Sequence, residues 1–416
     1  MKAFSAIIII SSFLVACSNN MTEIQISHSE PMQVDSAPSE CPYLTHDSKG
    51  NIAMSWVRIN ADGKTAFCYA ISQDQQTFPS PVVIPNTGNI QPHGENLPKI
   101  VFKSANEIIA LWGEANPNPK NKYSGRIFYS QSFDKGEHWS ASRPLTSDTA
   151  SFDQRYYDVV VLPNGEVGAI WLDNPNDPSL PGSNLYFART DGKNGFSEPR
   201  VISRSCCQCC RTVLYVDKEQ KIHALFRGII QDSIRDMVHI VSNDGAETFS
   251  APKRISNDNW VINGCPHTGP AMTANNSGLH FAWYTGGKNK GSYYTQSTDD
   301  GNSFAGRDSI SSLGSHPQIT SLTDGKLLTA WDESRTKDST ISKVIGIELR
   351  NETGERMGKE YITNVEREAS FPVLAQSDDG NSIVAYTIKR NGRNHIEYQV
   401  LNFSGASFKI RVPHLE

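Results

Sequence analysis

The chain has 416 residues, with 39 basic against 44 acidic side chains, a formal net charge of −5 and 38% hydrophobic residues. That balance offers no basic surface for a phosphate backbone, so no nucleic-acid partner is expected. Beyond the first 17 residues no apolar stretch is long enough to cross a membrane as a helix.

The chain opens on "MKAFSAIIIISSFLVAC", a short basic start, an apolar run and a small-residue exit that ends at a cysteine. An apolar run of roughly 12 residues is too short to span a bilayer and reads as a signal segment. Leu14, Val15, Ala16 and Cys17 resemble the bacterial lipobox. The resemblance implies a signal peptide over residues 1–16, cleavage before Cys17 and lipid on its sulfur. It also implies attachment to a membrane through that lipid, and Ser18 after the cysteine points to the outer membrane. Residues 17–40 are polar, without apolar periodicity, and are expected to form a tether; "MTEIQIS" within them is a candidate extra strand. Export means an oxidising compartment, where unpaired thiols are unusual. Seven of the eight cysteines remain once Cys17 carries lipid, and an odd number leaves at least one free, metal-bound or paired with another molecule.

From residue 41 onward the chain repeats itself. Seven hairpins close on an aromatic, at Trp56, Trp112, Trp171, Phe226, Trp283, Trp331 and Tyr386. "PYLTHDSKGNIAMSW" and "HPQITSLTDGKLLTAW" are two of them, and third strands such as "GRIFYSQS", "NLYFART", "SYYTQS" and "HIEYQV" follow. Four antiparallel strands per unit predict an all-β fold, a β-propeller of four-stranded antiparallel blades over residues 41–416. Its inner strands, buried on both faces, are apolar without clean alternation.

A second motif marks the turn between third and fourth strands. "SFDKGEHW" (132–139) and "STDDGNSF" (297–304) share Ser-x-Asp-x-Gly-x-x-aromatic, while "SNDGAETF" (242–249) carries Ala246 where glycine is expected. "SQDQQTF" and "RTDGKNGF" are looser copies. These stretches resemble the Asp-box of the sialidase, or BNR-repeat, superfamily. In such a turn the carboxylate bonds nearby backbone N–H groups, the glycine takes a positive φ and the aromatic plugs the gap between blades. The boxes identify a scaffold and no chemistry. Sialidases usually have six blades. The residues closing these boxes or their remnants, the aromatics Phe78, Trp139, Phe196, Phe249, Phe304 and Phe408 with Met357, predict seven here, with six as the alternative.

Tight hairpins and boxes occupy one face of such a disc. The other face receives the long connections and the segments that lead into each innermost strand, so a site belongs there. The lead-ins carry Cys41, His93, Arg155, the run "SRSCCQCCRT" with Cys206, Cys207, Cys209, Cys210 and Arg211, then Cys265 with His267, His316 and Arg367. Soft sulfur and imidazole groups thus recur at one position of successive units. Three readings stand open: a copper or zinc site on these thiols and imidazoles; disulfides, with Cys41 to Cys68 and Cys265 to one of the run; or loops whose histidines merely bond backbone. His223, His239 and His280 fall inside strands and are expected to be packed or solvent-facing rather than ligating.

The sialidase resemblance implies three arginines that clamp a substrate carboxylate, a tyrosine nucleophile assisted by a glutamate, and an aspartic acid proton donor. The family's Arg-Ile-Pro motif before the first blade is replaced by Glu40-Cys41-Pro42-Tyr43. A substitute set is Arg155, Arg211 and Arg367 with Tyr156 or Tyr157 and Glu366 or Glu368. Taken together, the sequence predicts a lipid-anchored propeller of the cell envelope whose channel mouth binds a metal or a partner. The alternative is a divergent exo-sialidase or related glycoside hydrolase with a glycan ligand.

Overall fold

A computed structural model of the chain describes residues 25–404 apart from 118, 120, 121, 148–152 and 175–180. The expected leader, Cys17 and the first part of the tether lie outside the described residues, as does Phe408.

The seven hairpins each form the inner half of an antiparallel sheet whose strands run in chain order from the axis outward. Blades one to six span residues 39–84, 99–144, 155–206, 213–254, 271–311 and 314–361, and blade seven begins at 370. The innermost strands are Ser39–His46, Lys99–Phe102, Arg155–Val161, Val213–Val216, Ala271–Asn275, Gly314–Ser321 and Ser370–Gln376. Each touches the next, and the last touches the first, so the ring is closed with seven blades. Second strands such as Val167–Asp173 and Ile222–Arg227 are buried along their whole length, because neighbouring blades cover both faces.

Closure draws on the N-terminus. Gln25–His28 is the outermost strand of blade seven, pairing antiparallel with the C-terminal strand Arg393–Ser404, and Met32–Gln33 pairs with the same strand. The expected tether over residues 17–40 is therefore corrected: from residue 25 the chain already belongs to the propeller. The "MTEIQIS" segment supplies the covering strand, without which the long C-terminal strand would present an unpaired edge. Asp35 fastens the segment to blade one, accepting hydrogen bonds from Trp56 Nε1 at 2.9 Å and Arg58 Nε at 2.7 Å.

The closing aromatics are all buried, at 0–1% exposure, one per blade. In four blades they oppose an irregularity that sequence reading did not anticipate. Register shifts between Glu40 and Tyr43, Arg155 and Asp158, Ser315 and Gln318, and Ser370 and Val373 set two residues of the innermost strand against Trp56, Trp171, Trp331 and Tyr386. The first residue of each pair, Cys41, Tyr156, His316 or Phe371, has a φ between 50° and 59°. Such a bulge bends the strand and redirects a side chain. Here it does so at the channel mouth.

The boxes are built as expected. Ser132 Oγ donates to Asp134 Oδ1 at 2.9 Å and accepts from Gly136 N at 2.8 Å, while Asp134 Oδ1 accepts from His138 N at 2.8 Å. The Ser242 and Ser297 boxes repeat the pattern. Ala246 takes the glycine position at φ 69°, a conformation that costs an L-residue about 1–2 kcal/mol.

Hydrogen bonds from the His138 backbone and then its side chain bring Asp134 down from 3.8 to about 2, and those from the Ser303 side chain and then its backbone do the same for Asp299. A depressed carboxylate stabilises the fold fully above its unfolded value, and this contribution is lost as pH falls through the folded value. The thermal midpoint should therefore fall between about pH 4 and pH 2. A variant carrying Asp134→Ala, Asp244→Ala and Asp299→Ala should show a shallower decline over that window. Parallel melting curves for the two proteins would refute the assignment.

Candidate functional site

The bulges aim their first residues at the end of the channel, where Arg211 closes it. Arg211 is 6% exposed and forms an ion pair with Glu95, itself 2% exposed. It also donates to the carbonyls of Pro270 at 3.2 Å, Gly269 at 3.2 Å and Pro317 at 3.0 Å, and Glu95 accepts from Gly269 N. One side chain from the lead-in of blade four thus ties the lead-ins of blades two, five and six. Tyr156 extends the belt, its N–H bonding Asn96 Oδ1 at 2.6 Å and its carbonyl accepting from Thr212 Oγ1 at 2.7 Å. Beneath Arg211 the inner strands enclose a channel cavity of about 460 Å³ crossed by the Lys99 to Asp158 ion pair.

The cysteine run lies where the outer strand of blade three turns into blade four. The Sγ atoms of Cys207, Cys209 and Cys210 all lie within 4.8 Å of one another, and the three residues are buried. Cys207 Sγ is 3.7 Å from Cys209 Sγ. Three sulfurs about 2.3 Å from one common ion would be spaced by about 4 Å, so the group matches a thiolate metal site. Arg227 holds it. Its backbone carbonyl accepts from Cys207 N at 2.8 Å, and its Nε donates to Cys210 Sγ at 3.3 Å. The remaining guanidinium hydrogens go to the carbonyls of Arg235, Thr268 and Tyr284. Arg227 is 2% exposed, and among the described residues no carboxylate pairs with it. Hydrogen bonds from Cys209 and then Cys210, with the charges of Arg227 and Arg235, pull the Cys207 thiol far below its ordinary value. The hydrogen bond to Cys207 pushes Cys209 up, and burial pushes Cys210 up.

Cys209 also lines a rim cavity of about 510 Å³ that it shares with His93, Arg155, Tyr156, Cys265 and His267. Cys265 is the one exposed cysteine among those described. His267 Nδ1 lies 3.3 Å from the Tyr156 hydroxyl, and the His93 and His267 rings are 5.3 Å apart between centroids.

The expected ligands therefore separate. His93 Nδ1 accepts the Glu95 N–H at 3.1 Å, which puts the ring proton of the neutral form on Nε2 and makes that atom a donor. Burial, then the neighbouring His267, keeps His93 below its ordinary value and so neutral. His316 has Nδ1 on Asp332 Oδ2 at 2.6 Å and Nε2 on the His267 carbonyl at 3.2 Å. Both nitrogens face oxygens, so neither offers a lone pair to a metal. Cys206 stands apart from the three-sulfur group, its Sγ 3.7 Å from the Arg204 carbonyl, and burial pushes its thiol up to about 12. Cys207, Cys209 and Cys210 form the buried group, with Cys265 and His267 at its cavity.

The expected Cys41 to Cys68 disulfide is corrected. Cys41 lies on the first strand of blade one and Cys68 on the third, with Ile52–Ile59 between them. Two strand spacings amount to about 9.5 Å, beyond the Cα separation of a disulfide. All seven described cysteines carry free thiols.

The arginines of the sialidase-like set are each paired with a protein carboxylate. Arg155 lines the rim cavity and pairs with Asp153 at 2.5 Å; Arg211 is the channel closure. Arg367 pairs with Glu397 at 2.6 Å on blade seven, and Glu368 is exposed near Lys389. Burial raises the Tyr156 phenol, the opposite of what a nucleophile requires, and Tyr157 is raised in the same way. His223, His239 and His280 are buried inside blades, as expected. Sequence reading missed Glu95 and Arg227, although an arginine ending the apolar stretch "HALF" is the signal that marks the second.

Removing Arg211 leaves Glu95 buried and uncompensated, a loss of about 3–5 kcal/mol. Arg211→Ala should lower the denaturant midpoint accordingly, whereas unchanged stability would mean that the arginine is held ready for a ligand instead of locking the mouth.

No curated protein matches the chain. Among solved structures, a lectin from Burkholderia pseudomallei superposes with TM-score 0.59 at 10% identity, covering 90% of this chain and 100% of the other. A Dyadobacter fermentans protein of unknown function gives TM-score 0.52 at 12% identity over 91% and 99% of the two chains. The intramolecular trans-sialidase of Ruminococcus gnavus gives TM-score 0.49 at 11% identity over 89% and 96%. At such identities the likenesses to the lectin and the Dyadobacter protein speak to fold alone. Residues 73–381 match the BNR repeat-like domain, and the chain belongs to that family.

Proposed function

We propose that this protein is a binding propeller of the cell envelope, held to the membrane by lipid on Cys17, whose rim carries a soft metal ion on Cys207, Cys209 and Cys210. The observation that carries the reading is Arg227, a buried guanidinium with no carboxylate partner among the described residues and a hydrogen bond to Cys210. A buried cation needs a counter-charge, and the thiolate group is the one within reach. A site built to remain anionic is suited to a cation. Among the described residues the three sulfurs have no fourth ligand, which favours copper(I) over zinc, since zinc takes four in structural sites. The arginines of the sialidase-like set are each engaged with a protein carboxylate, which argues against a clamp for a sugar acid.

Titration of the reduced chain against a copper(I)-specific chromophoric chelator tests the reading. The chain should take up one copper(I), and Cys207→Ser and Cys210→Ser should each abolish competition with the chelator. Arg227→Gln, which keeps size and removes charge, should weaken binding about 10- to 100-fold. Affinity should also fall as pH is lowered, since the thiols must shed protons to bind. Absence of copper(I) and zinc uptake, together with turnover of a fluorogenic sialoside that Arg155→Ala abolishes, would replace the reading with the hydrolase.

A further inference from the structure

A buried thiolate group poses a delivery problem, because Cys207, Cys209 and Cys210 are each 3% exposed or less. An ion cannot diffuse in bare through packed protein. Of the three, only Cys209 lines the rim cavity. The same cavity carries Cys265, the exposed thiol, on a segment outside any strand, and His267. The His267 ring turns Nδ1 toward the Tyr156 hydroxyl, and its Nε2 has no partner among the described residues. If Nδ1 donates to that hydroxyl, Nε2 is left with a free lone pair. Tyr156 lines the same cavity as Cys209 and Cys265, so the exposed sulfur and one sulfur of the buried group share a wall with this side chain.

We infer that the rim cavity is a loading port for the thiolate group. Cys265 takes copper(I) from a thiolate carrier, and His267 and Cys209 pass it inward. This inference rests on the copper(I) reading of the buried group. The step is ligand exchange without redox change: the bond from copper to the donor sulfur breaks as the bond to Cys265 Sγ forms. The Cys265 thiol proton goes to the departing donor thiolate. The ion then leaves Cys265 for Cys209 in the same manner, its place on Cys265 retaken by a proton from the incoming thiol. Copper remains monovalent throughout, and the destination is favoured because it offers three sulfurs and the charge of Arg227.

Stopped-flow transfer from the copper(I) complex of glutathione to the reduced full chain tests the port. Cys265→Ser should slow loading at least about tenfold, while final stoichiometry and chelator-measured affinity stay within about threefold of the unaltered chain. Blocking Cys265 reversibly with a thiol reagent under native conditions should give the same delay, and unblocking should remove it. Loading of Cys265→Ser at the unaltered rate overturns the port. So does a loss of equilibrium affinity in that variant, which would make Cys265 a permanent ligand. If the unaltered chain takes up no copper(I) at all, the thiolate site itself fails, and the port with it.

Discussion

Four of the seven blades set two residues of the innermost strand against one buried aromatic of the next strand. The large ring fills the inter-blade space, and the strand beside it gains a residue in positive φ. That local distortion makes the channel mouth possible. It turns Cys41, Tyr156, His316 and Phe371 out of the regular alternation of a strand and toward the axis, where they meet side chains from other blades. His316 and Phe371 come within 4.2 Å of one another between ring centroids although blade six separates their positions along the chain. Topology brings the lead-ins together, and the bulges decide which of their side chains leave the regular alternation.

Two buried arginines near the mouth resolve their charge differently. Arg211 has Glu95, and its remaining donors are spent on carbonyls of two other blades. It acts as a structural lock, since a fully satisfied ion pair leaves little for a ligand to gain. Arg227 has carbonyls, the face of Trp260 at 4.8 Å and one sulfur. Carbonyl dipoles and an aromatic face ease the burial of a cation without neutralising it. The arrangement sets three buried sulfurs beside a guanidinium that has no carboxylate partner among the described residues, inside a protein of the BNR repeat-like family. Such a scaffold constrains chemistry little, because a propeller rim accepts different residues at the same seven positions.

Much of the architecture was legible in the chain because it rests on local and repeated features. The seven closing aromatics, the hairpin turns and the Ser-x-Asp boxes each follow from residues within a few positions of one another. Their recurrence favours seven blades over six, and the contact of the last innermost strand with the first closes the ring at seven. Even the N-terminal strand was visible as a candidate in "MTEIQIS". What escaped was its consequence: the tether is shorter than polarity alone indicates, because residues 32–39 are held by pairing with residues near the other end of the chain and by the Asp35 bonds.

The site was legible only as a set of candidates. The sequence alone determined that sulfur and imidazole recur at the lead-ins and therefore that they gather on one face; this follows from topology, which the repeat specifies. It could not separate ligands from bystanders. His316 and His93 differ from His267 by which atoms of distant segments approach their rings: Asp332, the His267 carbonyl and the Glu95 amide. Three of the four cysteines in the run converge because the turn after residue 206 folds back on Arg227, in the neighbouring blade. Lone pairs and buried charges are properties of surroundings, and only the tertiary structure brings those surroundings together.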